Sequence, residues 1–71
     1  MLNKEKTLKQ FGKKLQETRL RQGLTQEKLS FIVECDRTHI SMIERGLRNP
    51  SLFIVFKIAK ALKVKMSDLF N

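Results

Sequence analysis

The chain has 71 residues and a mass of 8.3 kDa, enough for one small hydrophobic core and not for two. At 41% hydrophobic residues it is too apolar for a disordered tail, and three Gly, one Pro and no Trp or Tyr exclude a turn-rich all-β fold. Fifteen Lys and Arg against seven Asp and Glu leave a net charge of +8, which favours nucleic acid or another acidic surface as partner.

The first helix is predicted from Leu8, Phe11 and Leu15, which recur at helical spacing with Thr18 following on that face, and Gly23 stops it. Thr25 is a natural N-cap for a second helix over residues 26–33, with Leu24 placed to staple its entry and Leu29 and Val33 facing inward. Asp36 caps a third helix, Arg37 to Arg45, whose apolar pair is Ile40 and Ile43 and which Gly46 closes. Leu47 to Pro50 is a connector. Ser51 then opens a fourth helix with Leu52, Val55, Phe56, Ala59 and Leu62 on one side, and Ser67 caps a last short turn, Asp68 to Phe70. No stretch alternates as a strand does, so one all-α domain of five short helices over residues 1–71 is expected.

Enzyme chemistry fails on inventory. His39 is the only His and Cys35 the only Cys, too few for a zinc site and poorly placed for a Cys–His nucleophile, and no Gly-rich phosphate loop is present. No cofactor, metal or small-molecule ligand is expected. One Cys excludes an intrachain disulfide and fits a reducing cytoplasm. No apolar run approaches the ~18 residues of a membrane span, and Met1 to Gln10 has no apolar stretch behind its charges. Neither a membrane partner nor a signal peptide is expected.

The positive charge is unevenly spread. Residues 1–22 carry seven basic and two acidic side chains, residues 23–49 four of each, and residues 50–71 four basic and one acidic. The neutral middle holds the informative spacing. Only Glu34, Cys35 and Asp36 separate the second and third helices, too few for antiparallel packing but suited to a sharp helix-turn-helix over residues 26–45. Such a pair lays its first helix across a nucleic-acid backbone and presses its second into the major groove. At about 100° per residue, Ile40 and Ile43 point to the core, Thr38 and Arg45 lie opposite, and Arg37, Ser41 and Met42 share that outer half. His39 and Glu44 flank the buried edge. A guanidinium, two hydroxyls and a thioether can donate to, accept from and pack on base edges, with Arg37 suited to grip guanine O6 and N7. The N-terminus of the second helix, at Thr25 and Gln26, offers free N–H groups to a phosphate. Lys9, Lys13 and Lys14 add a diffuse positive field.

Gly23-Leu24-Thr25-Gln26-Glu27-Lys28-Leu29, residues 37–46, Asn49-Pro50-Ser51-Leu52, residues 57–62 and Asp68-Leu69-Phe70 together resemble the Cro/CI-type (XRE-like) helix-turn-helix repressors. The likeness spans residues 11–70. Residues 36–41 with Glu44, Arg45, Arg48 and Asn49 look most like the controller proteins of restriction–modification systems. The resemblance implies a lambda-repressor-like fold and a homodimeric regulator on a pseudo-palindromic double-stranded DNA operator, located at the bacterial nucleoid. It also implies base contacts from Arg37, Thr38, His39, Ser41, Met42 and Arg48, and phosphate contacts from Thr25, Gln26, Arg45, Asn49 and Ser51. A phage or mobile-element repressor, or an antitoxin-like interaction module on the same fold, are the alternative readings. Glu34 and Lys63 stand where the family usually has Gly, and Thr18 where an aliphatic residue is usual.

Two further expectations concern packing. Arg19 falls beside Leu8, Phe11 and Leu15 on the apolar side of the first helix and needs a partner. Glu44 is the candidate, and the resembling repressors carry such a bridge. Phe53, Ile54, Val64, Met66, Leu69 and Phe70 exceed what one small core can cover and are expected to form a dimer interface.

Overall fold

A computed structural model describes residues 2–70. Among the described residues there are four α-helices and a 3-10 turn, rather than five helices: α1 (Lys4–Arg21), α2 (Gln26–Val33), α3 (Arg37–Glu44), α4 (Leu52–Leu62) and the turn Met66–Leu69. Side-chain oxygens start three of the helices. Asn3 accepts from the Lys6 N–H, Thr25 from Lys28 and Ser51 from Ile54, at 3.0, 3.0 and 3.1 Å. Asp36 occupies the expected N-cap position of α3 but makes no capping bond there, and Arg45 is that helix's C-cap rather than its last residue.

All four helices end the same way. After each, one residue turns left-handed and the following N–H reaches back to the carbonyl five residues earlier: Leu24 to Arg19, Cys35 to Ser30, Leu47 to Met42 and Val64 to Ala59, at 2.9–3.1 Å. Gly23 and Gly46 take that conformation without a steric cost, whereas Glu34 (φ 59°) and Lys63 (φ 58°) take it with a Cβ attached.

The core gathers Phe11 and Leu15 from α1, Leu29 and Val33 from α2, Ile40 and Ile43 from α3, Val55, Ile58, Ala59 and Leu62 from α4, and Leu69 from the 3-10 turn. Two expectations for α4 are corrected. Leu52 and Phe56 are 76% and 44% exposed, and Ile58, absent from the predicted stripe, is fully buried. The helix presents Val55, Ile58, Ala59 and Leu62 inward, which turns Phe53 outward and Phe56 to the flank. The last turn is corrected as well. It is capped at Lys65, whose N–H is held by the Asp68 carboxylate at 3.0 Å, and not by Ser67.

Leu69 is not a surface residue. The 3-10 turn folds back against α1 and α4 and drives Leu69 into the core with no exposed area, which removes it from the expected dimer surface. Ile54, Val64 and Met66 are half-buried at the core's margin, and Phe53 and Phe70 remain 64% and 56% exposed. Thr18 is buried, and its hydroxyl donates to the Lys14 carbonyl at 2.8 Å, which satisfies a polar group where an aliphatic one would also fit.

Candidate nucleic-acid interface

Three side chains from three helices fix α3 to the scaffold. Arg19 donates through Nε and Nη2 to the two carboxylate oxygens of Glu44, at 2.6 and 3.1 Å. Its third nitrogen, Nη1, donates to the Leu24 carbonyl at 2.7 Å, and the Gln26 amide donates to Glu44 Oε1 at 2.9 Å. The side chains of Arg19 and Glu44 are only 7% and 1% exposed. Among the described residues no buried side-chain polar atom lacks a partner, so this buried pair is compensated as such pairs must be. The predicted pairing of Arg19 with Glu44 is therefore present, and Gln26 joins it.

A glycine completes the anchor. A Cβ at Gly12 would collide with the backbone carbonyl oxygens of Ile43 and Glu44, so α1 and α3 approach closer than any side chain allows. Sequence reasoning passed over both Gly12 and the Gln26–Glu44 bond. The signal for Gly12 was available, since it sits four residues after Leu8 and three before Leu15, a small residue beside the buried stripe of a helix. The Gln26 bond had no such signal, because it depends on where the ends of α2 and α3 meet.

With Ile40, Ile43 and Glu44 turned inward, α3 presents its remaining residues outward. Arg37 and Thr38 are exposed at its N-terminus, Ser41 and Met42 are half-buried further along, and His39 is half-buried at the edge. Arg45 is exposed at the C-cap, and Arg48, Asn49 and Ser51 are exposed on the connector to α4. Thr25 is exposed and Gln26 half-buried at the start of α2. The Thr25 and Ser51 hydroxyls are engaged as caps, which orients both side chains. The expected base-facing and phosphate-facing groups are thus exposed or half-buried on α3, at the start of α2 and on the connector to α4.

Burial pushes the Cys35 thiol up, against a smaller opposing pull from Lys57, so the thiol is neutral and weakly nucleophilic near pH 7. No group of three or more His, Cys, Asp or Glu that could hold a metal occurs among the described residues. No helix among them is long and apolar enough to cross a membrane.

The profile of a helix-turn-helix family matches residues 15–69. The control protein C.BamHI of Bacillus amyloliquefaciens is 48% identical over 62 residues, covering 86% of this chain and 76% of its own length. The control protein C.MunI from a Mycoplasma species is 40% identical over 62 residues, covering 86% and 84%. The crystal structure of the restriction–modification controller protein C.AhdI from Aeromonas hydrophila superposes with a TM-score of 0.87 at 43% identity, over 89% of this chain and 96% of that one. The match covers all four helices' junctions, the buried pair that holds α3 and the exposed face beyond it, and the chain belongs to the helix-turn-helix family of transcriptional regulators.

Proposed function

We propose that this regulator docks α3 in the major groove of double-stranded DNA, as a homodimer on a pseudo-palindromic operator, and controls a restriction–modification operon that includes its own gene. The observation that carries the reading is the exposed Arg37-Thr38 start of α3, on a helix whose last residue, Glu44, is held by Arg19 and Gln26. The similarity to C.BamHI, C.MunI and C.AhdI, all named as control or controller proteins, supports the genetic setting. Regulation then follows protein concentration in the bacterial cytoplasm, at the nucleoid.

In this reading Arg37 donates to guanine O6 and N7, Thr38, Ser41 and Met42 pack on or bond to neighbouring base edges, and His39 and Arg48 reach the margins of the half-site. Arg45, Asn49, Ser51 and Thr25 meet the backbone. Gln26 gives one amide hydrogen to Glu44 and keeps the other, with its first-turn backbone N–H, for a phosphate. Phe53, Ile54, Val64, Met66 and Phe70 form the twofold contact, which places two α3 helices about 34 Å, or ~10 bp, apart on one DNA face.

The test is selection of bound sequences from random duplexes, followed by titration at several salt concentrations. Arg37→Ala is expected to cost ~1–3 kcal/mol on the selected operator and to relax preference at one position. Arg45→Ala is expected to weaken all sequences evenly and to shallow the salt slope by about one, whereas Gln26→Ala removes a phosphate contact and also the bond to Glu44 that holds α3. Equal loss on operator and scrambled duplex for Arg37→Ala would move the base-reading role to Thr38, His39, Ser41 or Arg48. A chain that selects no sequence and binds no duplex would instead be an interaction module.

A further inference from the structure

The densest positive charge in the sequence lies in residues 1–22, outside the helix-turn-helix pair. The fold brings part of it to the edge of the proposed DNA face. The backbone of α1 at Lys9 touches the chain at Gly46, where an added Cβ would run into the Cα, N and Cγ of Lys9. Gly46 sits between Arg45, the C-cap of α3, and the exposed Arg48. One turn further along α1, Gly12 lies against the last carbonyls of α3. The flank of α1 next to these contacts is therefore continuous with the C-terminal end of α3 and its connector.

That flank is basic. Lys6, Lys9 and Lys13 follow one another at three- and four-residue spacing, all are exposed, and together with Asn3, Glu5 and Gln10 they line one shallow concavity. Glu5 is the acid of this group and lies in the first turn, where the helix dipole favours it. Lys14 behaves differently. It is half-buried and turned about 100° from Lys13, away from Gly46. Of the three lysines whose charge the sequence alone treated as one field, Lys9 lies against Gly46, Lys13 shares a concavity with Lys9 on one side and with Lys14 on the other, and Lys14 lies outside the concavity that holds Lys6 and Lys9.

We propose that Lys6, Lys9 and Lys13 form, with Arg45 and Arg48, a continuous phosphate-binding ridge that extends the footprint of each protomer along the DNA backbone beyond the base pairs read by α3. The proposal rests on the DNA-binding reading. Its partner is duplex phosphate, because the ridge offers point charges without an apolar stripe or an aromatic stacking platform.

The experiment uses the full chain and two duplexes, one ending at the outermost base pair of the selected operator and one longer at each end by about half a helical turn, ~5 bp. The wild type is expected to gain affinity on the longer duplex. The triple variant Lys6→Gln, Lys9→Gln, Lys13→Gln is expected to lose that gain and to shallow the slope of log K against log salt by roughly 2–3, since each phosphate contact contributes about 0.9. Its sequence preference and thermal melting should be unchanged, and Lys14→Gln should leave the slope as it is. A triple variant that keeps both the slope and the gain overturns the ridge while leaving the operator reading intact. A slope lost equally in Lys14→Gln overturns it too, by showing a diffuse charge effect. Failure of the wild type to bind either duplex overturns the DNA-binding reading itself.

Discussion

At one end of the molecule, Arg19, Gln26 and Glu44 meet from three helices and lock α3 through directional hydrogen bonds of 2.6–3.1 Å. At the other end, α4 packs on α2 and on the 3-10 turn, and that turn on α1, through apolar side chains, joined by the Gln22 amide on the Leu62 carbonyl at 2.6 Å. The first end buries a charged pair. The second shows Phe53 and Phe56 with rings 6.4 Å apart, Lys57 lying 5.0 Å from the Phe53 ring, and Phe70 exposed beside Phe11. The difference separates two requirements. A helix that reads a groove must be held in one orientation, which bidentate charged hydrogen bonds specify. An apolar face needs only area to bury, and tolerates small shifts.

The sharpest break of this contrast is Arg19→Ala. It strands a Glu44 side chain that is 1% exposed, and the loss should reach ~3–5 kcal/mol, read as a large fall in melting temperature. An unchanged melting temperature would mean that Glu44 finds water instead. Gly12→Ala attacks the same end through the backbone. Its methyl group must displace α3, at a cost of about 1–3 kcal/mol in chemical denaturation, and DNA affinity should fall further than stability alone accounts for if α3 docks as proposed.

Smaller gains should come from the left-handed residues, one beside α3 and one after α4. Glu34→Gly and Lys63→Gly each remove a Cβ held at positive φ, and each should stabilise the chain by up to ~1 kcal/mol, the steric relief exceeding the added chain entropy. A destabilising result at either site would mean that the side chain itself makes a compensating contact. The smallest effect on the monomer is expected for Phe53→Ser. At 64% exposure its stability change should stay within about ±0.5 kcal/mol. Light scattering should nevertheless show weaker dimerisation. A Phe53→Ser chain that associates as the wild type does would remove Phe53 from the proposed twofold contact.

The same contrast decides how much was legible in the sequence. The caps at Thr25 and Ser51, the stops at Gly23 and Gly46, and the inward Ile40 and Ile43 were readable because each is a local matter of backbone hydrogen bonds or of a clear helical period. Arg19 and Glu44 were readable because a charge on an apolar stripe demands a partner. The register of α4 was not. Only Lys57 and Lys60 interrupt its apolar residues, so its period is nearly featureless and Leu52, Phe56 and Ile58 were equally good core candidates. Packing against α2 and the 3-10 turn selected Ile58.

By itself the sequence determined an all-helical chain, the placement of its turns, the buried ion pair and the polar character of α3's outer face. These follow from spacing, capping chemistry and the cost of an unpaired charge. Only the tertiary structure decided that Leu69 belongs to the core, that Gly12 lets α1 touch α3, that Gln26 shares Glu44 with Arg19, and that Lys9 stands beside Gly46. Each of these depends on which segments distant in the chain come within a few ångströms of one another, and side-chain periodicity along a single helix does not encode that distance.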